Sequence, residues 1–140
     1  MVTALVGMGS NIEPEAHLTR AATELRERYP QVIFSTVYRS KAIGMEGEDF
    51  LNACCLITDT PDRAALVEWF KSLEDAHGRD RSEGSWKPRT LDLDLLMFDE
   101  EVLDDDLFRY PHVYVPASEL IDTKLPDPEN GVVLKVELHL

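Results

Sequence analysis

The sequence is poor in cysteine and in positive charge, and it has no long apolar run. Cys54 and Cys55 are its only cysteines; being adjacent, they point to opposite faces if they lie in a strand, and they cannot form a disulfide framework. A reducing compartment, the cytoplasm, is therefore expected. The opening MVTALVGMGSNIEPE has no basic segment, and Gly7 and Gly9 break its apolar run, so neither a signal peptide nor a membrane span is expected there. Lys and Arg number 14 against 27 Asp and Glu, a net charge of −13, so the chain as a whole repels nucleic acid and anionic lipid. Any basic site must be local. Several catalytic signatures are missing too. Gly7-Met8-Gly9-Ser10-Asn11-Ile12 starts like a dinucleotide fingerprint but has Ile12 where the third glycine belongs, and no Walker A Gly-Lys-Ser/Thr occurs. Without a Gly-x-Ser-x-Gly elbow, a His-Glu-x-x-His helix or a Cys-x-x-Cys pair, nucleophile-elbow hydrolases and zinc sites lack a foundation.

What is present fits one domain. The chain has 140 residues, 44% of them hydrophobic and 29% charged, which is ordinary globular usage and enough for a single core. Val2, Ala4 and Val6 alternate with Thr3 and Leu5, predicting a short first strand that stops at Gly7, Gly9, Ser10 and Asn11. Leu18, Ala21, Ala22, Leu25 and Tyr29 make one helical stripe, with Pro14 in its first turn and Pro30 as its stop. Val32, Phe34, Thr36 and Tyr38 predict one face of a second strand; Phe50, Asn52, Cys54 and Leu56 share a face of a third over 50–58. A second helix is expected to start with Thr60 as cap and Pro61 at its first position, its stripe running through Leu66, Trp69, Phe70, Leu73 and Ala76 to Gly78. With the strand near residue 92 the order is β-α-β-β-α-β, an α+β ferredoxin-like core with a mainly antiparallel sheet and its helices on one face. The six acids of DEEVLDDD at 99–106 read as a solvated turn, and the Pro-rich 111–128 as an irregular extension. Val132, Leu134, Val136 and Leu138 predict a terminal strand. His17, His77 and His139 read as surface or helix-end residues.

One strand poses a problem. In WKPRTLDLDLLMF, residues 86–98, Asp92 and Asp94 share a face while Leu91, Leu93 and Leu95 share the other. Asp is depleted in strands, and two carboxylates on one face, with Cα atoms about 6.6 Å apart, repel unless a cation joins them. A merely exposed strand face would explain the pattern equally well. The preceding loop weighs against that, because Arg79, Arg81, Lys87 and Arg89 place four of the 14 basic residues within eleven positions. Arginines that clamp phosphate oxygens, opposite carboxylates that hold Mg²⁺, are what phosphoryl chemistry needs.

These residues resemble a known family. Lys87-Pro88-Arg89-Thr90-Leu91-Asp92-Leu93-Asp94-Leu95-Leu96 is similar to the signature of 6-hydroxymethyl-7,8-dihydropterin pyrophosphokinases, folate-pathway enzymes. Gly9-Ser10-Asn11, Val37-Tyr38-Arg39-Ser40, Asp49-Phe50-Leu51-Asn52-Ala53, and Leu73-Glu74 leading to Gly78-Arg79-Asp80-Arg81 match the family in order and spacing. The resemblance implies Mg²⁺-dependent transfer of pyrophosphate from ATP to the pterin hydroxymethyl oxygen, with release of AMP. It implies two Mg²⁺ ions on Asp92 and Asp94. Arg79, Arg81, Arg89, Glu74, Trp86 and His112 would face ATP, with Arg79 and Arg89 supporting the transferring group. Asn52 would bond the pterin edge and Phe50 would stack on its face. A monomer acting on these two small molecules is expected.

The chain also departs from the family pattern. Ser82 and Ser85 stand where many members carry further basic residues. Pro111-His112 passes directly into Val113-Tyr114-Val115-Pro116, so the resemblance implies a deletion of about eight residues that usually follow, together with an Arg and the second stacking aromatic. Tyr114 or Tyr110 would then supply the second ring, and Tyr114 is preferred because extended backbone would give it His112's face. The competing class is a non-catalytic or altered-specificity binder of pterin or nucleotide. Retention of Asp92, Asp94, Arg79 and Arg89 argues against it.

Overall fold

A computed structural model describes residues 2–40, 49–60, 62–78, 90–122, 125 and 133–140. Strand β1 (Thr3–Ser10) leads into helix α1 (Pro14–Arg28), then into two short strands, β2 (Ile33–Phe34) and β3 (Val37–Ser40). Strand β4 (Phe50–Thr58), helix α2 (Arg63–Ala76) and strand β5 (Asp92–Phe98) complete the expected core. Strand β6 (Glu101–Val102), helices α3 (Asp106–Arg109) and α4 (Pro111–Ser118), and strand β7 (Leu134–Val136) follow. The sheet order is β6-β5-β1-β4-β3-β7, with β2 also on β4, and every pairing is antiparallel. Its centre, β5-β1-β4-β3, has the ferredoxin-like order. The terminal strand pairs within the chain, on β3.

Side-chain parity sorts the core into two layers. Ala4, Val6 and Met8 of β1, with Leu51, Ala53, Cys55 and Ile57 of β4, face α1 and α2, whose stripes Leu18, Ala21, Ala22, Leu25, Leu66, Phe70 and Leu73 cover them. Leu5, Cys54 and Leu96 face the other way, beneath Leu107 of α3 and Ala117 of α4. The two cysteines thus fall into different layers, both buried, and burial pushes both thiols up. Neither is a nucleophile at neutral pH.

Several expectations need correcting. β1 does not stop at Gly7: it continues to Ser10, because Gly7 and Gly9 are paired on both sides, by β4 and by β5. The second strand is broken. Ser35 N–H donates to the Cys54 carbonyl at 2.9 Å and its Oγ accepts from Cys54 N–H at 2.8 Å. That extra residue shifts the phase, so Val37 rather than Thr36 joins Val32 and Phe34 on the helix side, and Tyr38 turns to the opposite face. The cap of α2 is Asp62, whose side chain accepts from Ala65 N–H at 2.9 Å, instead of Thr60; Pro61 lies outside the described residues. The acidic run is more than a turn: Asp99 and Glu100, with φ of 50° and 70°, close a tight β5–β6 hairpin, and Asp104 Oδ1 accepts from Asp106 N–H at the start of α3. Nor is the stretch from 111 irregular throughout, since Pro111 opens α4 at a position where no backbone donor is needed.

Glu119, just past α4, fastens that helix to the strand break. It accepts from Thr36 N–H and Thr36 Oγ1, each at 2.9 Å, and from the Tyr38 hydroxyl at 2.6 Å. Desolvation, then the bond to Glu119, pushes the Tyr38 hydroxyl up to about 12. Against desolvation, the bonds from Tyr38 and Thr36 hold the Glu119 carboxyl below its usual range.

His139 is exposed and His77 ends a helix, as expected, but His77 is more than a surface residue. His77 caps the end of α2 but is buried, and its Nδ1 lies 2.8 Å from His17 Nδ1 of α1. Its Nε2 lies 3.2 Å from Glu24 Oε1, and Glu24 pairs in turn with Arg20. A carboxylate only accepts, so His77 carries its proton on Nε2 and its Nδ1 accepts from His17. Two protonated rings would set N–H against N–H. Desolvation, then Arg20, lowers the His77 pKa despite Glu24. The folded state thus binds fewer protons than the unfolded one, and stability should fall as pH drops below the unfolded value of about 6.5. The melting temperature measured from pH 7.5 to 5.5 should decline, and His77→Gln should flatten that decline. An equally steep decline in the variant would show that His77 is not its source.

Candidate active site

The site follows from which β1 residues lack side chains. Gly9 pairs with Asn52 of β4 on one side and Asp92 of β5 on the other; Gly7 pairs with Cys54 and Asp94. Paired residues share a face, so Asn52, Gly9 and Asp92 form one row across the sheet and Cys54, Gly7 and Asp94 the next. Both rows look away from α1 and α2. With neighbouring strands about 4.8 Å apart, Asn52 and Asp92 stand about 10 Å apart over bare backbone. A Cβ on Gly9 would sit 3.5 Å from Asn52 Oδ1 and 3.8 Å from Phe50 Cδ1. The result is a trough with an aromatic edge and an amide at one end and two acids at the other. Gly7 and Gly9 were missed as site residues, although a glycine inside a strand is itself a sign of close approach by a ligand.

At the acidic end the two carboxyls lie within hydrogen-bonding reach of each other. Asp94 is exposed, yet desolvation, then the facing Asp92, then Asp104 and Glu74 push its pKa up to about 8. A cation would relieve that repulsion. Among the described residues no group of three or more His, Cys, Asp or Glu is arranged as a metal cage. Mg²⁺ does not need one, because it is commonly held by one or two carboxylates together with substrate phosphates. Two hard oxygen donors on an open face fit that ion.

Glu74 supports this end from the helix side. It is 4% exposed, and its Oε2 accepts from Leu93 N–H at 2.9 Å. Leu93 stands between Asp92 and Asp94, where β6, which pairs only with Met97 and Phe98, no longer covers the strand edge. The carboxylate substitutes for the missing strand and fixes the backbone that carries both acids.

The other expected residues are distributed as follows. Asn52 is buried at the opposite end, its Nδ2 2.7 Å from Ser40 Oγ and 3.5 Å from the Tyr38 carbonyl. His112, in the first turn of α4, stacks on Tyr110 with ring centres 5.4 Å apart; desolvation lowers its pKa and Asp106 partly opposes this. Tyr114 is buried in the same helix, which packs on β4 and β3. Helical geometry turns residues two apart by about 200°, so Tyr114 does not share a face with His112 as extended backbone would have required. Arg79, Arg81, Trp86, Lys87 and Arg89 lie outside the described residues. A separate cleft of about 520 Å³ at the start of α1 opposes Arg39 to Glu13, Glu15 and Asp49, the wrong charge balance for phosphate.

Comparison with known proteins identifies the family. The family model described as 7,8-dihydro-6-hydroxymethylpterin-pyrophosphokinase matches residues 5–127. The chain is similar to proteins named 2-amino-4-hydroxy-6-hydroxymethyldihydropteridine pyrophosphokinase. With that of Pseudomonas putida it shares 31% identity over 83% of this chain and 98% of the relative. With that of Aquifex aeolicus the identity is 30% over 95% and 84%, and with that of Synechocystis it is 33% over 91% and 70%. The chain belongs to the 7,8-dihydro-6-hydroxymethylpterin-pyrophosphokinase family.

Proposed function

We propose that this enzyme transfers pyrophosphate from ATP to 6-hydroxymethyl-7,8-dihydropterin, releasing AMP, as a Mg²⁺-dependent step of folate biosynthesis. The observation that carries the proposal is the trough, whose amide and acids are spaced for a flat heterocycle bearing a short arm. Phe50 lies along one ring face and Asn52 bonds the ring edge, so that the hydroxymethyl group points over Gly9 toward Asp92 and Asp94. The hydroxyl oxygen bonds to the β-phosphorus of ATP and releases its proton to water, while the bond from that phosphorus to the bridging α-phosphate oxygen breaks and AMP departs with that oxygen. Asp92 and Asp94 would hold two Mg²⁺ ions, which when bound neutralise phosphate charge and polarise the phosphoryl oxygens. Glu74 keeps β5 in place for this. Arg79, Arg81 and Arg89 bind the phosphates, with Arg79 and Arg89 at the transferring group, Trp86 lines the nucleotide side and His112 stays near the phosphates. The enzyme is taken to act as a cytoplasmic monomer; among the described residues no helix is long and apolar enough to cross a membrane.

The test is direct. Protein incubated with ATP, Mg²⁺ and 6-hydroxymethyl-7,8-dihydropterin should yield AMP and a pyrophosphorylated pterin in equal amounts. Binding of both ligands without AMP would make the chain a non-catalytic binder, and AMP formed only with another acceptor would reject the substrate. The shortened tail makes Tyr114 the proposed second ring face, since α4 packs over the same side of β4 as Phe50 and Asn52. Calorimetric titration of Tyr114→Ala should show pterin binding weakened by about 1–3 kcal/mol with ATP binding unchanged. Equal losses for both ligands would place that wall elsewhere.

A further inference from the structure

The buried amide of Asn52 could offer a ligand either its donors or its acceptor, and the surrounding strand decides which. Its Nδ2 lies 2.7 Å from Ser40 Oγ, a contact that alone leaves the orientation open, because a hydroxyl both donates and accepts. The Tyr38 carbonyl removes the ambiguity. It lies 3.5 Å from Nδ2, and a carbonyl only accepts, so a turned amide would set oxygen against oxygen. Both donors are thereby directed into the protein. Oδ1 comes 3.5 Å from the place a Cβ on Gly9 would occupy, over the open floor of the trough.

We propose that Ser40, together with the Tyr38 carbonyl, is a positioning residue that locks the Asn52 amide with its acceptor facing the trough, so that the site selects a ligand edge that donates hydrogen bonds. This rests on the reading of the trough as the pterin site. A pterin offers N–H donors on the pyrimidine ring and its exocyclic amine, and a carbonyl on the neighbouring edge. The lock sets which edge enters first, and so the direction in which the hydroxymethyl arm leaves. Without Ser40 the amide loses its short partner, and only the long 3.5 Å contact to the Tyr38 carbonyl still opposes a turn. Selection between donating and accepting edges then weakens, because a polar site discriminates by leaving the wrong partner unpaired.

The experiment compares AMP release with 6-hydroxymethyl-7,8-dihydropterin and with an analogue lacking the exocyclic amine, for wild type, Ser40→Ala and Ser40→Thr. Ser40→Ala should raise the pterin KM about tenfold, leave the ATP KM unchanged and shrink the preference for the aminated ligand several-fold. Ser40→Thr, which keeps the hydroxyl, should retain the wild-type preference. If Ser40→Ala does not fold, Ser40→Cys, close in volume but a weak acceptor, carries the same comparison. A preference unchanged in the folded Ala or Cys variant overturns the lock alone. Wild type that releases no AMP with the pterin overturns the substrate reading on which the lock depends.

Discussion

Asp94→Asn should reduce AMP release at saturating substrate by about a thousandfold or more while leaving the fold intact. The amide matches the carboxylate in shape but lacks the charge that would hold Mg²⁺ in the proposed reaction, and losing a metal-held transition-state contact would cost several kcal/mol. Stability should not suffer, since the two acids repel each other in the absence of a cation and Asp is unfavourable in a strand. The measurement pairs AMP release with a thermal melt. Undiminished AMP release with the Mg²⁺ requirement intact would sink the metal assignment.

Gly9→Val should be folded and nearly inactive. The new Cβ would stand at ordinary contact distance from its neighbours, 3.5 Å from Asn52 Oδ1 and 3.8 Å from Phe50 Cδ1, and valine is well suited to a central strand. Its methyl groups, however, fill the floor between Asn52 and Asp92. Pterin turnover should fall at least about a hundredfold, because a ring displaced by one ångström no longer presents its hydroxyl to the phosphate. ATP affinity should be retained. A folded Gly9→Val enzyme with wild-type turnover would show that the substrate does not cross this row.

Where a pattern rests on side chains in regular alternation, the sequence predicts this molecule well. The stripe of α1, the shared face of Phe50, Asn52, Cys54 and Leu56, and the opposed faces of β5 are all found as expected. Failures occur where the deciding partner is remote or has no side chain. Glycines carry no hydrophobic signal, so β1 seemed to end at Gly7, and only the flanking β4 and β5 reveal its last turn of pairing as the floor of a site. The break at Ser35 is made by Cys54, 19 residues away, and nothing local marks it. His77 is buried by His17, which is 60 residues distant in the chain. Thr60 and Asp62 are both good caps, and composition alone does not choose between them. The two prolines near α4 disguised a helix that one of them in fact starts. Of the candidate site, the acids, Asn52 and Phe50 were legible from spacing and resemblance, whereas the role of Ser40 required atomic contacts.

The irregularity between β2 and β3 also bears on how such a chain can change. Loops absorb insertions because their ends stay in place, but a strand is read in steps of two, and one residue added or removed at Ser35–Thr36 would invert everything after it. Tyr38 and Ser40 would swing to the helix side, Glu119 would lose its anchor, and Asn52 would face the trough unsupported. This pair of residues therefore cannot change in number, although neither of them lines the trough. Length is constrained here by phase, at a distance from the chemistry it protects.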